Sequence, residues 1–129
     1  MPRSLGMSVA VAIDELREKI AEFGTDPHLI TVGPTGAAHV VSVRVLIDGE
    51  RWRVSAGRTT SANIASNPGV TLLWSDVRHG AYSLIVDGTA ATSDEDAAEV
   101  TITPTRAVLH RLAGASSDLP SCVPLEQPN

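Results

Sequence analysis

The residues best placed to do chemistry lie in one run, Gly57-Arg58-Thr59-Thr60-Ser61-Ala62-Asn63. An apolar, strand-like segment precedes it, and Asn67-Pro68-Gly69 closes it. A helix that starts here presents unpaired backbone N–H groups and the positive end of its dipole. Thr59, Thr60 and Ser61 add hydroxyl donors. Arg58 adds a permanently charged, planar fork suited to phosphate. Gly57 lets an anion approach the backbone closely. Two readings fit: a phosphate cradle, or a helix capped by Thr60 or Ser61 with Arg58 solvated.

Arg44 is the second residue of interest. It alternates with Val41, Val43, Val45 and Ile47, so it points to the opposite face. There it is either a solvated arginine or, where that face lines a cleft, a partner for an anionic ligand. The histidines, His28, His39, His79 and His110, show no HxH or HxxxH spacing, and no metal site is expected. Asp76, His79 and Tyr82 cluster around one loop; a solvated turn is preferred there to a substrate rim. No G-x-S-x-G elbow is present. Lys19, the only lysine, falls in a surface-type helix, which sets Schiff-base chemistry aside.

Bulk properties narrow the classes. A formal charge of −5 argues against a nucleic-acid partner. No apolar run reaches the roughly 20 residues that span a bilayer, so no membrane partner is expected. The apolar patch near the N-terminus runs into a charged helix without a cleavage site, unlike a signal peptide. Cys122 is the only cysteine, so a disulfide framework is excluded and a cytoplasmic, reducing setting is the default.

The elements that must position these residues follow from periodicity. Ile13, Leu16, Ile20 and Phe23 mark a helix that Gly24 stops, with Asp26-Pro27 beyond. His28–Val32 is a strand, Gly33 to Gly36 a turn, and Ala38–Ile47 one long strand. Asp48-Gly49 is a hairpin signal leading into Arg51–Ala56. Thr60–Ser66 is a short helix and Val70–Ser75 a strand. Ala81–Val86 is another strand, with a second hairpin signal at Asp87-Gly88 and a strand to Thr92. Ser93–Ala98 makes a helical turn with Ser93 as its cap and acids in its first turn. Val100–Thr103 and Thr105–Leu112 are strands, with Pro104 at an edge or a bulge. Six or seven short antiparallel strands with small helices predict a mainly β domain over residues 1–113, closed as a small barrel. Residues 114–129 read as a loose tail.

This order of elements resembles the pyridoxamine 5′-phosphate oxidase-like family, the flavin- or deazaflavin-binding split β-barrels. The likeness runs from about Asp14 to Arg111. Its most specific parts are the G-x-x-x-x-A-N-[IL]-x-x-NP-x-V run, here Gly57 to Val70, and the V-D-G-x-A strand, here Val86 to Ala90. The resemblance implies a six-stranded antiparallel split barrel and a homodimer with two cofactor sites at the subunit interface. It implies that the loop from Arg58 to Ser61 holds the cofactor phosphate, with Gly57 and Asn63 in the same motif. It places Ser42, Arg44 and Ser55 along the ring system. Family members usually carry a lysine or arginine where this chain has Thr60, and here Arg58 lies two residues earlier. The arginine-rich C-terminal segment that grips vitamin B6 substrates is not found after Arg111.

The implied function is an FMN-binding oxidoreductase-like protein that transfers hydride to a small-molecule substrate. One alternative is an F420-dependent reductase, for whose acidic tail Arg51, Arg53 and Arg78 would form a basic groove. Another is a non-catalytic dimeric barrel that binds a small molecule.

Overall fold

Among the described residues, eight strands form one antiparallel sheet: β1 (Ser8–Val11), β2 (His28–Val32), β3 (Ala38–Ser42), β4 (Leu46–Asp48), β5 (Arg51–Ser55), β6 (Gly69–Ser75), β7 (Tyr82–Thr92) and β8 (Glu99–Arg111). Two helices accompany it. α1 (Leu16–Phe23) follows a 3-10 turn at Ile13–Glu15, and α2 (Arg58–Ser66) joins β5 to β6. The structure, a computed structural model, describes residues 8–75, 82–93, 96 and 98–111. The tail expected from residue 114, with Cys122, lies outside these residues, and so do Asp76, Arg78 and His79.

The strand order is β3-β2-β6-β7-β8-β5-β4, with β1 paired to the far half of β8. β3 and β4 stand at opposite ends of that order, yet only Val43, Arg44 and Val45 separate them. The sheet therefore curls until its two ends are neighbours. Among the described residues no ladder joins those ends, so the barrel is split, as the resemblance implies. The strand number differs from the expected six. β1 was not foreseen, and the long strand expected over Ala38–Ile47 is broken in two. The break has a physical cause, since residues 43–45 carry the chain from one end of the sheet to the other. Val43 and Val45 donate their backbone N–H groups not to a sheet strand but to Pro27 O and Thr25 O, at 3.0 and 2.8 Å.

One side of the sheet holds the core. Leu29, Leu72, Leu84, Val86, Val100 and Ile102 are at most 1% exposed. Trp52 and Trp74 meet edge to face with ring centroids 6.2 Å apart. α1 docks through Leu16, Ile20 and Phe23, all buried. Each such side chain contributes roughly 1.5–3 kcal/mol, whereas the exposed Lys19–Glu22 pair is worth about 0.3–0.5 kcal/mol. The apolar face, not the ion pair, holds the helix. Gly24, at φ 100°, ends it, and Trp74 donates its indole N–H to the Gly24 carbonyl at 2.7 Å.

The two Asp-Gly pairs part company. Gly49, at φ 63°, turns the β4–β5 hairpin as expected. Asp87-Gly88 makes no turn and lies inside the continuous strand β7. The register of β7 on β8 shifts between Asp87, opposite Arg106, and Gly88, opposite Pro104. Thr105 is therefore the extra residue of a bulge, and Val100 to Arg111 is one strand rather than two. Pro104, which has no N–H to give, sits beside the bulge. A Cβ on Gly88 would lie 2.7 Å from Thr103 O, so this glycine is required by close approach and not by a turn.

Candidate functional site

Ser42, Arg44 and Ser55 line one surface groove of about 500 Å³. Local alternation explains why. Val43 and Val45 turn into the core, so Arg44 turns out. Trp52 and Val54 turn in, so Arg53 and Ser55 turn out, with part of Val54 on the groove floor. Leu46, opposite Arg53 in the β4–β5 ladder, also lines the groove and is 55% exposed.

The opposite side of the groove was not legible in the sequence. Asp96, Ala98 and Glu99 form it, from the turn that joins β7 to β8. Glu99 pairs with Ser55 in register and places its carboxylate 3.5 Å from Arg53 Nη1. The turn is held by Ser93 N–H on Glu99 O, Glu99 N–H on Asp96 O and Ala98 N–H on Asp96 Oδ1. Ser93 Oγ accepts the Asp96 N–H at 3.4 Å, as expected of a capping residue.

Ala56 donates its N–H to Ala98 O at 2.7 Å, which fixes the start of α2 against the same turn. Gly57 is the N-cap and, having no side chain, gives the helix no side-chain cap of its own. Capping by Thr60 or Ser61 is thus replaced by an open glycine cap. The first helical bond runs from Ser61 N–H to Gly57 O. The N–H groups of Arg58, Thr59 and Thr60 precede it and have no intrahelical partner. Gly57 lies two residues from Ser55, so the helix start opens within about 7 Å of the groove wall.

The side chains of the motif divide. Arg58 and Thr59 are exposed, Ser61 is half-buried, and Thr60 and Asn63 face the interior at 1% and 6% exposure. Asn63 donates its amide to Thr31 Oγ1 at 3.1 Å. Among the described residues Arg58 has no carboxylate partner.

Arg44 has one. Its Nε and Nη2 donate to Asp26 Oδ1 and Oδ2 at 2.9 and 3.1 Å, a two-bond fork. The hydrogen bonds from Arg44 hold the Asp26 carboxyl below its ordinary range, and Asp26 in turn raises the Arg44 guanidinium. Tyr82, of the loop cluster read as a solvated turn, packs its ring against the Arg111 guanidinium, which lies 5.8 Å from the ring centroid.

A second cleft, of about 870 Å³, opens between Ile13–Arg17 and the β4–β5 hairpin. It is the larger of the two and holds Arg51, whereas Arg53 lines the smaller groove, so these two arginines of the expected basic groove do not share one cleft. The smaller groove is the better candidate because it adjoins the glycine-capped helix start. Among the described residues no three His, Cys, Asp or Glu side chains gather as metal ligands, and no helix is long and apolar enough to cross a membrane.

No family model matches the chain. Two curated relatives do. "Uncharacterized protein Mb0449c" of Mycobacterium bovis is 38% identical over 104 residues, covering 70% of this chain and 73% of the relative. "Uncharacterized protein MT0457" of Mycobacterium tuberculosis matches to the same extent. Among solved structures, an F420 reductase superposes at a TM-score of 0.55 with 23% identity, over 68% of this chain and 92% of that one. A Clostridium acetobutylicum protein of the pyridoxinephosphate oxidase family, related to general stress protein 26, gives 0.59 at 15% identity, over 78% and 91%. The heme storage protein HutZ of Vibrio cholerae gives 0.58 at 16% identity, over 74% and 94%.

Proposed function

The chain belongs to the family of the mycobacterial proteins Mb0449c and MT0457 and has the pyridoxamine 5′-phosphate oxidase-like split-barrel fold, and from that premise we propose that it is an FMN-binding oxidoreductase-like protein. One observation carries this reading. The groove that gathers Ser42, Arg44 and Ser55 lies beside the glycine-capped start of α2, where Arg58 is exposed.

The residues present fit such a cofactor. A groove of about 500 Å³ is within the usual range for a small-molecule site. A Cβ on Gly57 would meet nothing within 4 Å, so the backbone there is open to a phosphate. Arg58, Thr59 and Ser61 would meet the phosphate with their side chains, and Thr60 with its backbone N–H. Asn63 serves the cradle from behind by anchoring α2. Ser42, Arg44 and Ser55 would orient the ring edge through hydrogen bonds. FMN, when bound, supplies the hydride-transfer chemistry, so the chain need only bind, orient and shield it. The substrate is a small molecule that enters over the open side of the groove.

A second copy of the chain completes the site in this reading. Val40 and Leu46 are 53% and 55% exposed on β3 and β4, the strands at the two ends of the sheet, and Leu46 lines the groove. A homodimer would cover them, burying on the order of 2,000 Å² if obligate. The lone cysteine accords with a cytoplasmic setting.

F420 is the second reading, favoured by the likeness to the F420 reductase. A non-catalytic small-molecule-binding dimer is the third; HutZ, a storage protein by its name, has the same fold. Titrating the purified protein with FMN and with F420, followed by fluorescence, separates them. Micromolar or tighter binding of one supports a cofactor protein and names the cofactor. Binding of neither overturns both cofactor readings in favour of the third.

A further inference from the structure

Asp26 is not part of the groove wall, yet it holds Arg44, a cation of the groove, through two hydrogen bonds. Thr25 O and Pro27 O accept the N–H groups of Val45 and Val43, so the segment 25–27 runs alongside 43–45 with Asp26 opposite Arg44. The frame is firm on the side of α1. Gly24 closes that helix through its N–H on Ile20 O at 2.7 Å, and its carbonyl takes the Trp74 indole N–H. The fork on Asp26 uses Nε and one N–H of Nη2. Three N–H groups of the guanidinium remain, two on Nη1 and one on Nη2. The charge itself is already matched. Arg53, the other arginine of the groove, is likewise matched by Glu99, and Asp96 adds a further negative charge.

We propose that Asp26 is a selectivity residue of this groove. It positions Arg44 to donate hydrogen bonds to an uncharged, planar acceptor edge, and it cancels the cation that would otherwise attract a second anionic group. The ligand class is therefore one with a single anionic group, held at the start of α2, and a neutral ring in the groove. FMN fits this class better than F420, whose acidic oligoglutamate tail brings more negative charge. This proposal rests on the reading of the groove as a ring site.

The test is a fluorescence titration of the full-length protein and its Asp26→Asn, Arg44→Gln and doubly substituted forms with FMN and F420, with thermal melting as a fold control. Asp26→Asn should raise the F420-to-FMN affinity ratio by about two- to fivefold, the range of an exposed charge pair. Arg44→Gln in the same chain should abolish that rise, and added salt should shrink it. A ratio unchanged in Asp26→Asn, in a protein that binds FMN, overturns the selectivity role and leaves the cofactor reading intact. A ratio that rises equally with Arg44→Gln present overturns the role of Arg44. Binding of neither compound by any form overturns the cofactor reading, and this proposal with it.

Discussion

Asn63 on α2 donates its side-chain amide to Thr31 Oγ1 on β2 at 3.1 Å, with Thr31 at 0% and Asn63 at 6% exposure. The other end of the same amide is also confined, because a Cβ on Gly33 would lie 3.3 Å from Asn63 Oδ1. Asn63, with Thr60 and Ile64 buried beside it on α2, thus fixes how the helix sits on the sheet. The groups proposed to meet phosphate are on that helix's first turn, so this buried contact positions a surface site.

Breaking the contact should cost more than a surface change. Asn63→Ala leaves the Thr31 hydroxyl without this partner, and Thr31→Val leaves the Asn63 amide without an acceptor. Each should lower unfolding stability by about 1–3 kcal/mol in urea denaturation. The two losses should not add in the double substitution, because both remove the same bond. Simple additivity would show that the bond is not what holds α2.

Gly88 makes an equally local claim. Its Cβ position is 2.7 Å from Thr103 O and 3.1 Å from Ile102 Cγ2. Gly88→Ala must push one long strand off the other, and should destabilise by roughly 1–3 kcal/mol or more. Gly69→Ala is the control, since its new Cβ meets only Asn67 Oδ1, at an ordinary 3.6 Å; it should change stability by no more than about 0.5 kcal/mol. Equal effects in chemical denaturation would mean that the bulge tolerates the methyl group.

Those glycines also show where the sequence was legible. Asp48-Gly49 and Asp87-Gly88 are the same dipeptide in similar surroundings. Short-range chemistry reads both as turns, and only the first is one, because the second is decided by the register of β7 on β8, from Tyr82 to Thr92. The outward placement of Arg44 and Ser55 followed from alternation with buried valines and Trp52, a local signal. Their carboxylate neighbours did not. Asp26 reaches Arg44, and Glu99 reaches Arg53, through pairings between segments far apart in the chain. The inward turn of Thr60 and Asn63 likewise depends on which face of α2 meets β2, and the weakly amphipathic run from Thr60 to Ser66 says little about that.

The Arg44–Asp26 fork gives a pH signature. Its hydrogen bonds lower the Asp26 pKa in the folded protein. A depressed carboxyl contributes stability above its unfolded pKa, near 3.9, and loses that contribution as pH falls through the folded value. The melting-temperature difference between the wild type and Asp26→Asn should therefore be constant from about pH 8 to pH 5 and shrink only below about pH 4. Both groups are exposed, so the difference should be small and should fall further in high salt. A difference that changed instead between pH 6 and 8 would point to a histidine and remove Asp26 from the account.

Arg58 carries the sharpest prediction for the site. It is exposed at the first position of α2, and among the described residues it has no carboxylate partner to lose. Arg58→Ala should therefore leave unfolding stability within about 0.5 kcal/mol. It should weaken FMN binding by about 1.5–3 kcal/mol, the scale of a charged hydrogen bond. Riboflavin, which has no phosphate, supplies the internal check. It should bind the wild type and Arg58→Ala alike, so the loss appears only when ligand phosphate and guanidinium are both present. If riboflavin lost as much as FMN, Arg58 would be shaping the groove rather than holding an anion. If stability fell and binding did not, Arg58 would be a structural residue of α2, and the open glycine cap would need another explanation.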